Sequence, residues 1–137
     1  MRLMMQSIVS VTLLLLVPTT LFYSDQLYRL IGSFDAVLAV HLGASLLGCA
    51  MTVFIALTQL PRLSRFSRLW FAGVSAALGA VMALQFVWGL LDSGSNIGLG
   101  LLTLVVVLSH PVLAFALVIV AAAYGRNMPA RVVSRAS

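Results

Sequence analysis

Residues 69–91 read LWFAGVSAALGAVMALQFVWGLL, an unbroken run without a single charge. A helix needs roughly 20 apolar residues to cross about 30 Å of hydrocarbon, and this run exceeds that length. Three similar runs surround it: Leu3–Ser24, Ala36–Pro61 and Ser93–Gly125. Backbone N–H and C=O groups in lipid must be paired internally, and the alternating segments of about ten residues that a barrel requires are absent. The expectation is an all-α integral membrane four-helix bundle with spans near 3–23, 36–60, 67–91 and 99–124. These form one domain over residues 1–125, followed by a tail at 126–137.

Composition points the same way. Of 137 residues, 62% are apolar and 8% charged, against about a quarter charged in a soluble domain. So few charges cannot coat a water-soluble globule. The basic residues are all Arg and the acids are Asp25, Asp35 and Asp92 only, giving a formal net charge of +5. The arginines sit in short clusters between apolar runs and form no basic face, which argues against nucleic acid. The single Cys49 excludes an intrachain disulfide and a multi-cysteine metal site. Also absent are paired carboxylates, a nucleophile triad, a phosphate-binding glycine loop and an HExxH run, so any chemistry would be a cofactor's.

Arginine placement sets the expected orientation, because basic residues near span ends stay on the cytoplasmic side. Arg2, Arg62, Arg65, Arg68, Arg126, Arg131 and Arg135 fall on one side, and Arg29 alone falls on the other. Both termini are therefore expected in the cytoplasm, most simply across a bacterial inner membrane. Phe22, Tyr23, Tyr28 and Trp88 would mark the outer interface, with Trp70, Phe71 and Tyr124 at the inner one. The first run also has the composition of a secretion signal, but no small-x-small cleavage site precedes the bulky Leu21-Phe22-Tyr23. It reads as a retained span.

Within the spans, small residues are expected at helix contacts: Gly43, Ala44 and Gly48 on the second, and Ala72, Ala76 and Ala80 on the third. Pro18 and Pro111 free the carbonyls of Leu14 and Val107, so kinks are expected there. His110, preceding Pro111, would be pushed off ordinary helical dihedrals, swinging its ring toward a cavity.

Intramembrane ionisable residues are costly, which makes His41 and His110 the leading site candidates. They are candidate haem or metal ligands; the structural alternative is a neutral imidazole hydrogen-bonded between helices. At 1.5 Å per residue, His41 lies about 8 Å and His110 about 16 Å below the outer boundary. The ruler places Gln85 about 9 Å deep, beside His41, and Met82 about 14 Å deep, beside His110. Two polar layers result. His110 and Met82 form a possible His/Met haem pair, with Ser45 and Ser109 as hydrogen-bonding neighbours. Gln85 is a candidate interhelical hydrogen bond or quinone contact.

The order Ala39-Val40-His41-Leu42-Gly43, Leu60-Pro61-Arg62-Leu63, Gly89-Leu90-Leu91 and Leu104–Ser109 with His110 resembles a group of small four-helix membrane proteins. These are the b-haem protoporphyrinogen oxidase and copper-resistance D-like groups, and the likeness covers residues 36–115. It implies haem b bound through His41, with His110 as the second polar position. The oxidases carry a lysine near the start of the helix holding the later histidine, and this chain has no lysine. The resemblance therefore extends to haem binding and not to protoporphyrinogen oxidation. Two functions follow as expectations: a b-haem subunit passing electrons within a respiratory or redox complex, or a cofactor-free accessory or assembly subunit of a larger membrane complex.

Overall fold

The computed structural model describes residues 2–60, 63–91 and 97–126, and it is all-helical there. Five helices follow in order: α1 (Arg2–Phe22), α2 (Ser24–Ile31), α3 (Phe34–Thr58), α4 (Arg65–Leu91) and α5 (Ile97–Arg126). Four of them, all but α2, are long and apolar enough to cross a membrane. The expected spans match these four to within about three residues at each end, the ordinary scatter of helix boundaries. Residues 92–96, whose Asp-Ser-Gly-Ser-Asn composition is that of a turn, the Tyr124 side chain and the tail after Arg126 lie outside the described residues.

The fifth helix is a correction. Residues 24–35 were expected to be a loop, yet Ser24–Ile31 is helical. Its apolar positions, Leu27, Leu30 and Ile31, recur at helical spacing while Ser24, Asp25 and Arg29 fall elsewhere on the turn. None of its residues is buried. Gly32 ends it at φ 75°, a left-handed conformation that suits glycine, and donates its N–H to the Tyr28 carbonyl at 2.7 Å. Ser33 then caps α3 by accepting from the Ala36 N–H at 3.4 Å.

Around the bundle the order is α4–α3–α1–α5, and α4 touches α5 least of the neighbouring long helices. Each long helix buries a seam whose spacing alternates between three and four residues: Ser7, Ser10, Leu14 and Val17 on α1, and Ser45, Gly48, Thr52 and Ile55 on α3. On α4 the buried positions are Ala72, Ser75, Gly79 and Met82; on α5, Val106, His110, Leu113 and Leu117. That spacing is the one that keeps a stripe facing a neighbour in long helix packing. The expected Ala72–Ala76–Ala80 face is corrected accordingly, for Ala76 and Ala80 are exposed.

Small seam residues bring the backbones close. A Cβ built on Gly48 would meet Leu14 at 3.1 Å, and one on Gly79 would meet the Cys49 Cβ at 3.3 Å. Gly43 has no such role, since a Cβ there meets nothing within 4 Å. Ala44 is buried as expected, against Val17, Met82, Val106 and Val107. Large side chains outside the seams are exposed, among them Leu84, Val105, Val112 and Phe115. An apolar exterior of this extent is consistent with contact to lipid.

Candidate functional site

The seams carry polar side chains, and these pair between helices. Gln59, the C-cap residue of α3, donates its amide to Gln6 on α1. Ser10 and Thr52 share a hydrogen bond at 2.7 Å, and Ser10 Oγ also lies 3.0 Å from the Gly48 carbonyl. Toward the Phe34 end of α3, Thr20 Oγ1 stands 2.7 Å from His41 Nδ1. One turn farther along α3, Ser45 Oγ stands 2.7 Å from His110 Nε2 on α5.

Donor and acceptor roles follow from chemistry. The Val106 carbonyl, 2.8 Å from His110 Nδ1, can only accept, so Nδ1 carries the proton. In the neutral ring Nε2 is then the acceptor, and it takes the Ser45 O–H. Both nitrogens of this fully buried ring are thus committed to protein. The swing toward a cavity expected beside Pro111 does not occur. The ring turns back along its own helix, and α5 continues through Pro111.

His41 differs in one respect. Thr20 has a single hydroxyl proton, placed for the Val17 carbonyl at 2.9 Å, so its oxygen accepts from His41 Nδ1–H. The relay fixes the tautomer and leaves the Nε2 lone pair with no partner among the described residues. A second-sphere oxygen holding Nδ1–H is the usual support of a metal-binding imidazole. A haem iron would therefore find one fitting donor at His41, and a His110 nitrogen only after Ser45 had been displaced.

His41 and Ser45 are one helical turn apart on α3, about 6 Å along the axis, so the two imidazoles occupy separate levels. Met82 is buried against Ala44, Val106 and Val107, in an apolar cluster next to the His110 level. Gln85 has both amide atoms buried without a hydrogen-bond partner among the described residues. Ser109, expected beside His110, instead donates to its own helix at Val105 and lines a cleft between α4 and α5. No group of three or more His, Cys, Asp or Glu side chains that could hold a metal is formed among the described residues.

Sequence reasoning missed the α1 partners altogether. Ser10, Thr20 and Gln6 had a visible signal, small polar residues recurring in an apolar span, but their partners depend on the α1/α3 register. Comparison with family models, with curated proteins and with solved structures finds no match to this chain.

Proposed function

We propose that the chain is a four-span integral membrane protein with both termini in the cytoplasm, acting as an accessory subunit that stabilises or assembles a larger membrane complex, most simply in a bacterial inner membrane. The engagement of both His110 nitrogens carries this reading. An imidazole that bonds α5 to α3 is a brace, and the seam Gln6–Gln59, Ser10–Thr52 and Thr20–His41 braces α1 to α3 in the same way. Such bonds fix helix register where apolar contact alone gains little over lipid. A registered bundle with an open side suits a body that supports neighbours.

A second reading is favoured by one observation, the Nε2 of His41, which has no partner among the described residues. It makes the chain a b-haem subunit passing electrons, with His41 as the iron ligand and Met82, Gln85 and His110 as further candidate cofactor contacts. Haem would supply one-electron chemistry there; the chain would supply the Thr20 relay that orients the ring.

Two observations on the same cells separate the readings. The brace reading expects purified protein, made with ample haem supply, to show no Soret band, and expects deletion of the chain to diminish one membrane complex on native gels. A Soret band with a b-type pyridine haemochrome, lost in His41→Ala and kept in His110→Ala, overturns it in favour of haem.

A further inference from the structure

The eight-residue helix α2 buries none of its residues in the protein. At about 100° per residue, Leu27, Tyr28, Leu30 and Ile31 fall within an arc of about 160°, while Asp25, Gln26 and Arg29 occupy the opposite side. Leu27 is half-buried, but Leu30 is 83% exposed, and Tyr28 and Ile31 are exposed as well. The chain thus builds an amphipathic helix and leaves its apolar face uncovered. A helix this short is not stable by propensity alone and gains from an apolar surface to lie against.

Helix register gives the depth of that face. Ser10 meets Thr52 and Thr20 meets His41, so α1 and α3 run antiparallel with Phe22 level with Ala39 or Val40. The apolar part of α1, Leu3–Phe22, has 20 residues, a rise of about 30 Å that equals the thickness of the hydrocarbon. On the membrane-spanning reading, Phe22 marks its outer boundary. α3 begins at Phe34, about 8–9 Å farther out. α2 fills this step, joined to α1 through Tyr23 and to α3 through Gly32 and Ser33. The headgroup layer on one side of a bilayer is about 5–8 Å thick. Both ends of α2 are therefore tied to that layer, and the exposed aromatic residues Phe22, Tyr23 and Phe34 flank it, as aromatic residues do at membrane interfaces.

We infer that α2 is an interfacial anchor, with Leu30, Ile31 and Tyr28 docked into the headgroup and upper acyl layer of the outer leaflet and Asp25, Gln26 and Arg29 facing water. This inference rests on the membrane-spanning reading above. The occupant is phospholipid because the uncovered face is continuous with the exposed apolar ends of α1 and α3, which that reading already places in lipid. Asp25 and Arg29 cancel in charge, so the helix selects no headgroup charge. Anchored there, α2 sets the height at which α1 leaves the membrane and α3 enters it, and so the depth of the Thr20–His41 pair beneath.

Full-length variants, each carrying Trp70→Phe and Trp88→Phe, receive a single tryptophan by Leu30→Trp, Gln26→Trp or Leu47→Trp. All three positions are exposed, so the fold tolerates the larger ring. The proteins are reconstituted into phosphatidylcholine vesicles brominated either near the headgroup or near the chain end, and are quenched separately by iodide equilibrated across the vesicles. The Leu30 tryptophan should be quenched at least about twofold more by shallow bromines than by deep ones, as for an apolar face buried about 5–10 Å. Iodide should quench it at least about twofold less than the Gln26 tryptophan, which lies on the water face. Replacing part of the phosphatidylcholine with phosphatidylglycerol should change neither result. A Leu30 tryptophan as open to iodide as that at Gln26, or untouched by bromines, overturns the proposal and leaves the face to a protein partner. A bromine response that requires phosphatidylglycerol also overturns it. Leu47, mid-span on α3, is the control: its tryptophan should respond most to deep bromines, and no response there would mean that the membrane-spanning reading itself fails.

Discussion

Replacing Ser45 by Ala removes one hydroxyl and leaves the buried His110 Nε2 with nothing to accept from. An orphaned buried acceptor costs about 1–3 kcal/mol, and interhelical hydrogen bonds in lipid average about 0.6 kcal/mol, reaching about 1.7. The lower range applies here, because the unfolded helices in lipid also find partners, so Ser45→Ala is expected to destabilise by about 1 kcal/mol. His110→Leu removes the nitrogen altogether. Ser45 can then turn to the carbonyl four residues earlier on its own helix, a common arrangement for serine in spans. In the His110→Leu background Ser45→Ala should therefore cost almost nothing. The assay is a double-mutant cycle on reversible unfolding in mixed detergent micelles, with single, double and unsubstituted proteins measured together. A coupling near 1 kcal/mol is expected; additivity within about 0.3 kcal/mol would refute the claim that this bond holds α5 to α3.

Three further outcomes are expected. Gly48→Ala pushes a methyl against Leu13 and Leu14 at 3.1–3.2 Å and should destabilise by about 1–3 kcal/mol. Gly43→Ala meets nothing and should be neutral or stabilising by up to about 1 kcal/mol through helix propensity; the same unfolding titration compares the two. With a membrane-impermeant maleimide on intact spheroplasts, Gln26→Cys should label from outside and Ser64→Cys only after permeabilisation, since α3 separates them. Labelling of both from one side would contradict a spanning α3. The native Cys49, 3% exposed between α1, α4 and α5, should stay unlabelled until the bundle is unfolded, and its reaction rate in mixed micelles would follow global opening.

The long helices were legible because the solvent they imply follows from uncharged length alone, as in residues 69–91. Which face packs was less so. On α4 the alanines at 72, 76 and 80 form a four-residue stripe, and at about 100° per residue such a stripe drifts by some 40° each step. The packed seam corrects that drift by alternating steps, which gives Ala72, Ser75, Gly79 and Met82. Short α2 escaped because an isolated helix of eight residues is not stable by propensity alone. It forms where the chain turns between α1 and α3, with Gly32 to end it.

For the site, the separation of the two histidines along the bundle was legible and most of their partners were not. Counting residues put the two histidines about 8 Å apart in depth, and the structure puts them one turn apart on the α3 scale. Nothing in the order of residues revealed that Thr20 would meet His41, whereas Ser45 was expected beside His110 and does meet it. Those pairs depend on the rotation and register of three helices, set by seams rather than by the histidines. Ser45 was expected near His110 by level, and it supplies the bond; Ser109, adjacent in sequence, points the other way because successive residues on a helix lie about 100° apart.

Nitrogen-15 NMR of histidine-labelled protein in bilayers tests the brace most directly. The account predicts a neutral His110 ring protonated at Nδ1, with an Nε2 resonance that shifts when Ser45 is replaced by Ala. A His110 Nε2 that carries the proton, is unaffected by Ser45→Ala, or is broadened by a paramagnetic iron would contradict it.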